Sequence, residues 1–109
     1  DMETAQRFGA PYLAVIGNNS AMNQIRYGQL AKYGEERGDV GNKLGDVPFS
    51  KFGEMIGGYG EEVTEASQIQ PAMQRAREAI SKTGKCAVVN VWVDPNEYAP
   101  GTKAQTMYK

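Results

Sequence analysis

The residues in this chain best placed to do chemistry are two adjacent asparagines at the end of an apolar run. In "PYLAVIGNNSAMNQ" (Pro11–Gln24) the run stops at Gly17, and Asn18 and Asn19 follow at once. Asparagine is a poor strand former, and burying its amide is costly without hydrogen-bond partners. In an open parallel sheet, ligands bind beyond the carboxyl ends of the strands. There an asparagine offers a neutral carbonyl oxygen, a hard ligand suited to Mg²⁺ held against a phosphate. A neutral ligand fits a site where a diphosphate already brings the negative charge. The competing reading is that both asparagines only cap or turn the chain. Spacing alone leaves the two readings open.

The rest of the composition narrows the chemistry. The chain has no histidine, so it cannot by itself build Ser-His-Asp or Cys-His nucleophiles, nor most zinc sites. Cys86 is the single cysteine, which rules out a disulfide framework within the chain and a thiolate metal cluster. A reducing, cytoplasmic setting is the expectation. The 109 residues are 40% hydrophobic and 23% charged, with net charge -1. That fits one globular unit and gives no electrostatic reason to expect nucleic acid or an anionic membrane. No apolar run approaches the ~20 residues of a spanning helix, and the first residues carry no signal-peptide pattern.

Strand-like and helix-like segments alternate around the asparagines. "DMETAQRFG" places Met2, Ala5 and Phe8 at helical spacing, with Gly9 as a stop. "YLAVIG" is continuously apolar, which predicts a strand, Tyr12–Ile16, buried on both faces. "PFSKFGEMIGG" reads as a helix with Phe49, Phe52 and Ile56 on one face, and "YGEEVT" as a short strand. In "SQIQPAMQRAREAISKTG" the residues Ile69, Met73, Ala76 and Ile80 predict a helix. Pro71 falls in its opening turn after a short preceding turn, and Gly84 ends it. Met73 and Ile80 are assigned to the core. "CAVVNVWVD" predicts a second buried strand, Cys86–Val93, with Cys86 a small buried apolar residue and Trp92 in a core or interface. The order implies a mostly parallel sheet in a three-layer α/β/α arrangement with both long strands central. Too few strands are present to flank two such strands, so the domain is expected to be incomplete at its N-terminus. Residues 1–95 form its C-terminal portion and 96–109 a tail.

Between Met22 and Val47 lies a long glycine-dotted connection, and connections of that length are functional or disordered. It is expected to be helical near Met22–Tyr33 and loose afterwards. If it covers the site as a lid, Arg26 and Tyr27 are the candidate substrate contacts.

"ETAQRFGAPYLAVIGNNSAMNQIRYGQLAKYG", followed by "FSKFGEMIGGYGEEVTEASQIQPAMQRAREAISKTGKCAVVNVWVDP", resembles the C-terminal half of the cofactor-binding domain of thiamine-diphosphate enzymes. It is closest in character to the acetolactate synthase-like group, whose relatives include benzaldehyde lyase and the 2-hydroxyacyl-CoA lyases. The family motif opens Gly-Asp-Gly and closes in Asn-Asn roughly 27 residues later, a strand–helix–strand unit. Only its end falls in this chain, because the motif aspartate would lie about nine residues before Asp1. The resemblance implies metal ligation by the Asn19 side chain and the Ala21 carbonyl. It implies cofactor binding by Asn18, Asn19, Ala21 and Met22, with Asn18 a supporting neighbour. The proton-relay glutamate of the family lies in another domain and usually another subunit, so no catalytic residue is expected here. Glu35, Glu36, Glu61 and Glu62 are read as solvated surface carboxylates.

The implied function is the thiamine-diphosphate- and Mg²⁺-binding portion of a larger transferase or lyase. That enzyme would make or break C–C bonds next to a carbonyl, as an acetolactate synthase-like carboligase or decarboxylase of 2-oxo acids. Its substrate would be a 2-oxo acid or an aldehyde, its N-terminal domains would lie outside this chain, and it would be a homodimer or homotetramer. FAD would be compatible with the full enzyme, although no residue here speaks to it. Where many acetolactate synthases carry Gly-Met after the asparagines this chain reads "SAMNQIRYG", which leaves the product open. The 109 residues alone are expected to be inactive. The alternative is a non-catalytic α/β module for subunit assembly or for another nucleotide-like cofactor.

Overall fold

The computed structural model describes residues 1–98. In chain order it contains α1 (Met2–Arg7), β1 (Leu13–Asn18), α2 (Asn23–Gly38), α3 (Ser50–Met55), β2 (Tyr59–Val63), a 3₁₀ turn (Ala66–Gln68), α4 (Ile69–Thr83) and β3 (Ala87–Trp92). These fall into two compact units, 1–18 with 48–93, and 19–47 with 94–98. Residues 99–109, most of the expected tail, lie outside the described residues.

The first unit is a parallel sheet in the order β1-β3-β2, covered on both faces. Alternation along each strand sorts the side chains into two layers. On one face Leu13, Ala87, Val89, Val91 and Val63 pack against Ala72, Ala76, Ile69 and Ile80 of α4. On the other, Cys86, Val88, Ala14 and Ile16 pack with Met2 of α1 and Ile56 beyond α3. The three-layer α/β/α arrangement is therefore present, and the two long strands are parallel. Helix α4 follows its 3₁₀ turn with Pro71 as its third residue, where a missing N–H leaves no helical bond unmade. It ends at Gly84, which sits in the left-handed region at φ 65°. Cys86 is fully buried.

Several expectations need correction. Among the described residues β1 is not central: it pairs with β3 alone, and Val15 is 47% exposed. Its apolar run reads as doubly buried because pattern alone cannot say how far the covering helix extends. In α4 the core stripe is Ala72 and Ala76 flanked by Ile69 and Ile80, and Met73 lies outside that cluster. Alanines against the sheet let the helix approach closely, turning the longer Met73 aside. Phe8 and Phe52 are exposed, because α1 and α3 each have six residues and bury little beyond Met2, Ser50 and Gly53.

Glu61 and Glu62 are not solvated surface carboxylates. Adjacent in β2, they point to opposite faces. Glu61 pairs with Arg75 of α4 and accepts the Tyr59 hydroxyl at 2.6 Å. Glu62 accepts Asn90 Nδ2 at 2.7 Å, Trp92 Nε1 at 2.6 Å and the Ser50 backbone N–H at 3.2 Å. Burial pushes the Glu62 carboxyl up, but the donors from Ser50, Asn90 and Trp92 outweigh it and hold it below its ordinary value. The cluster ties β2, β3 and the start of α3 together at the carboxyl ends of the strands. Asn90 donates through Nδ2 to Glu62, while its buried Oδ1 has no partner among the described residues.

The second unit is built on α2, which breaks at Gly34 (φ 75°, ψ 173°) and resumes to Gly38. The chain then turns and runs back, so that Ala21 and Lys43 form an antiparallel bridge flanked by Met22 N–H to Asn42 O (2.8 Å) and Leu44 N–H to Ser20 O (2.7 Å). The segment after Tyr33 is thus not loose. The buried side chain of Asn42 donates to the Gly38 carbonyl and to Gln29 Oε1, which fixes the return. No helix among the described residues is long and apolar enough to cross a membrane.

Candidate metal and ligand site

The asparagine pair divides between the two units. Asn18 is the last residue of β1, opposite Trp92; it is buried, and its carbonyl accepts the Val93 N–H at 2.9 Å. Asn19 begins the next unit. Its Oδ1 accepts the Ala21 N–H at 3.2 Å, closing a three-residue turn in which Ser20 adopts φ 53°. Left-handed backbone at a serine costs about 1–2 kcal/mol. The turn withstands it because Ser20 also donates through Oγ to Asp46 Oδ1 at 2.7 Å and accepts Leu44 N–H through its carbonyl.

Inside the second unit this turn forms one wall of a cleft of about 310 Å³, lined by Asn19, Ser20 and Ala21. Arg26, Lys43 and Leu44 also line it, as do Pro95 and Asn96 of the closing segment. The closing segment is pinned to the first turn of α2. Asn23 is buried and donates through Nδ2 to the Pro95 carbonyl at 2.7 Å, and Tyr98 Oη reaches Asn23 Oδ1 at 3.3 Å. The rings of Tyr27 and Tyr98 meet with centroids 4.3 Å apart.

Of the sequence-predicted residues, the cleft gathers Asn19, Ala21 and Arg26. Asn18, Met22 and Tyr27 do not line it. Met22 is 51% exposed at the N-cap of α2, and Tyr27 is engaged with Tyr98. Lys43, Leu44, Pro95 and Asn96 were not legible as site residues, since they arrive through the Gly34 break and the Asn42 return. The pairing of Asp39 with Lys43 at helical i,i+4 spacing was the one local signal near them.

Asp39 sets the electrostatics of this wall. It is paired with Arg26 Nε and with Lys43 Nζ, the latter at 2.8 Å. The hydrogen bonds from Arg26 and then Lys43 hold its carboxyl below the usual range, and Asp39 in turn raises the Arg26 guanidinium.

The donor chemistry fits a hard divalent cation in kind. Asn19 Oδ1 keeps a second lone pair beyond the one facing Ala21 N–H, and the bridge to Lys43 does not engage the Ala21 carbonyl, since its ladder bonds run through Ser20 and Met22. Both oxygens are neutral. Among the described residues no three Cys, Asp or Glu side chains gather into a metal cluster. Two oxygens fall short of the six that Mg²⁺ demands, so the remainder must come from a ligand, water or another segment.

Comparison with known proteins bears on that ligand. Residues 1–91 match the family model described as thiamine pyrophosphate enzyme, C-terminal TPP binding domain. The chain is 31% identical over 101 residues to YdaP of Bacillus subtilis (strain 168), named as a thiamine pyrophosphate-containing protein. That alignment covers 93% of this chain and 16% of the relative. It is 29% identical over 100 residues to the acetolactate synthase large subunit IlvG of Mycobacterium tuberculosis (strain ATCC 25618 / H37Rv), covering 92% of this chain and 17% of that protein. The chain thus spans about a sixth of the length of the curated relatives it matches.

Proposed function

Because this chain belongs to the C-terminal TPP-binding domain family of thiamine pyrophosphate enzymes, we propose that it supplies the Mg²⁺ and diphosphate grip of a larger acetolactate synthase-like enzyme. The observation that carries the reading is the single cleft lined both by Asn19 and Ala21 of the turn and by two cationic residues, Arg26 and Lys43. When bound, thiamine diphosphate supplies the carbanion-stabilising chemistry that makes or breaks a C–C bond next to a carbonyl.

The chain's own residues hold and orient. Asn19 Oδ1 and the Ala21 carbonyl are the metal ligands, and the Asx turn together with the Lys43 bridge fixes their spacing before anything binds. Such preorganisation spares the ligand the cost of ordering the loop. Pro95 and Leu44 contribute apolar walls that restrict water. Tyr27 acts through Tyr98 by steadying the closing segment, and Met22 starts α2 without reaching the cleft. The substrate is a 2-oxo acid or an aldehyde, and the enzyme is at least a dimer in a reducing, cytoplasmic setting.

The full-length protein with thiamine diphosphate, Mg²⁺ and pyruvate is expected to release carbon dioxide at a protein-dependent rate. The 109-residue chain under the same conditions is expected to match the cofactor-only blank, since two neutral ligands hold Mg²⁺ weakly. Equal rates from both would overturn the assignment of catalysis to residues outside this chain. No rate from the full-length protein with any 2-oxo acid or aldehyde would favour a non-catalytic assembly module.

A further inference from the structure

We propose that Ser20 and Asp46 are positioning residues for the metal: the bond between them holds the two oxygen ligands of the turn at the spacing of a small cation, so that the site favours Mg²⁺ over the larger Ca²⁺. The proposal rests on the reading of the cleft as the thiamine-diphosphate site and names what sets its choice of metal.

The peptide joining Ser20 to Ala21 is held at both ends. Its carbonyl accepts Leu44 N–H at 2.7 Å, and its N–H donates to Asn19 Oδ1 at 3.2 Å. In the next peptide Met22 N–H donates to the Asn42 carbonyl at 2.8 Å. A trans peptide sets its C=O opposite its N–H, so the Ala21 carbonyl is turned away from Asn42. With these planes fixed, the torsions at Ser20 decide how far the Asn19 side chain stands from the Ala21 carbonyl. Ser20 holds φ 53°, a region that a serine adopts only at a cost.

Asp46 supplies the restraint, accepting Ser20 Oγ at 2.7 Å. A hydrogen bond to a carboxylate is of the same order as that backbone strain, so its loss tips the balance at this residue. Leu44 and Asp46 belong to one returning segment and grip Ser20 at two points, its carbonyl and its hydroxyl. Asp46 does not itself line the cleft, whereas Ser20 does. Its part is to act through Ser20, not to touch the metal.

Both proposed ligand oxygens are neutral, so charge cannot make them choose between two divalent cations. Spacing can. Mg²⁺ demands near-octahedral oxygens at about 2.0–2.1 Å, while Ca²⁺ accepts more oxygens at about 2.3–2.6 Å in flexible geometry. A turn locked at Ser20 suits the first ion. The same turn, released, still serves the second.

The test uses the full-length protein and reads the thiamine diphosphate Kd by calorimetry, once with saturating Mg²⁺ and once with saturating Ca²⁺. Ser20→Ala keeps the strain and loses the bond; Asp46→Ala removes the acceptor. Each is expected to weaken the Kd with Mg²⁺ about threefold to tenfold, as for one partly exposed hydrogen bond to a charge. The Kd with Ca²⁺ changes less than about twofold. Ser20→Gly, in which the left-handed backbone costs nothing, shifts the ratio less than Ser20→Ala and keeps the test open if the strained variants fold poorly. Asp46→Ala added to Ser20→Ala brings no further shift, since the two act as one unit. Equal weakening with both metals overturns the proposal, because it marks a role in the fold alone. Unchanged Kd values, additive effects in the double variant, or a shift in Ser20→Gly as large as in Ser20→Ala also overturn it. Absence of cofactor binding to the unmodified protein with either metal would instead sink the thiamine-diphosphate reading, and this inference with it.

Discussion

Asn19→Ala in the full-length protein is expected to weaken Mg²⁺-dependent retention of thiamine diphosphate by about 10- to 100-fold, the usual range for loss of a metal ligand or its support. The substitution removes the side-chain oxygen assigned as a metal ligand. It also removes the acceptor of the Ala21 N–H, which spaces the Ala21 carbonyl from Asn19. These two losses are separable. A role confined to the turn would weaken cofactor binding equally with and without Mg²⁺, whereas a ligand role appears only with the metal. Calorimetric titration of the cofactor at several Mg²⁺ concentrations measures both. An affinity unchanged by the substitution at every Mg²⁺ concentration would remove Asn19 from the site.

The second large effect is on the fold that carries the site. Gly60 in β2 and Gly53 in α3 bring helix and strand to backbone contact. A Cβ on Gly60 would fall well inside van der Waals distance of the Ser50 carbonyl oxygen, and one on Gly53 would do the same to the Tyr59 carbonyl. Neither neighbour is the end of a flexible side chain, so the elements themselves would have to separate. That would pull Ser50 N–H away from Glu62 and loosen the bonds from Asn90 and Trp92 to the same carboxylate. Gly60→Ala is therefore expected to cost at least the upper part of the ~1–3 kcal/mol range for overpacking. Gly28→Ala makes the control: Gly28 lies in α2 with open space where its Cβ would go, and the change should be neutral or stabilise by up to about 1 kcal/mol. Urea unfolding of the two variants decides it. Equal midpoints would show that α3 can lift off the sheet at no cost.

Sequence pattern reached the parts of this chain in which local signals agree. The Val88–Val91 stretch, the 3₁₀ turn before Pro71 and the glycine stop at Gly84 each combine composition with backbone chemistry, and each is found as expected. The asparagine pair was legible because two poor strand formers break an apolar run. What stayed hidden depends on register. Glu61 and Glu62 read as a solvated pair because nothing in "GEEV" says that one faces Arg75 and the other Asn90 and Trp92. Lys43 and Pro95 come to the cleft from 24 and 76 positions beyond Asn19 (43 − 19 and 95 − 19). Only the Gly34 break, the Asn42 return and the Asn23 tie make them neighbours of the turn, and none of these has a periodic signature. Arg26 was legible as a cation following the turn, but not as one half of a pair held by Asp39.

In the proposed site the Asn19–Ala21 turn holds the metal that grips the cofactor's diphosphate. Mn²⁺ substituted for Mg²⁺ tests it most directly, in crystals of the full-length protein with thiamine diphosphate, through the metal's anomalous scattering. The expected result is a single strong peak within about 2.0–2.3 Å of both Asn19 Oδ1 and the Ala21 carbonyl oxygen, as for a small hard cation on oxygen ligands. A metal–diphosphate bound elsewhere, with Asn19 Oδ1 bonded only to the Ala21 N–H, would remove the turn from the site.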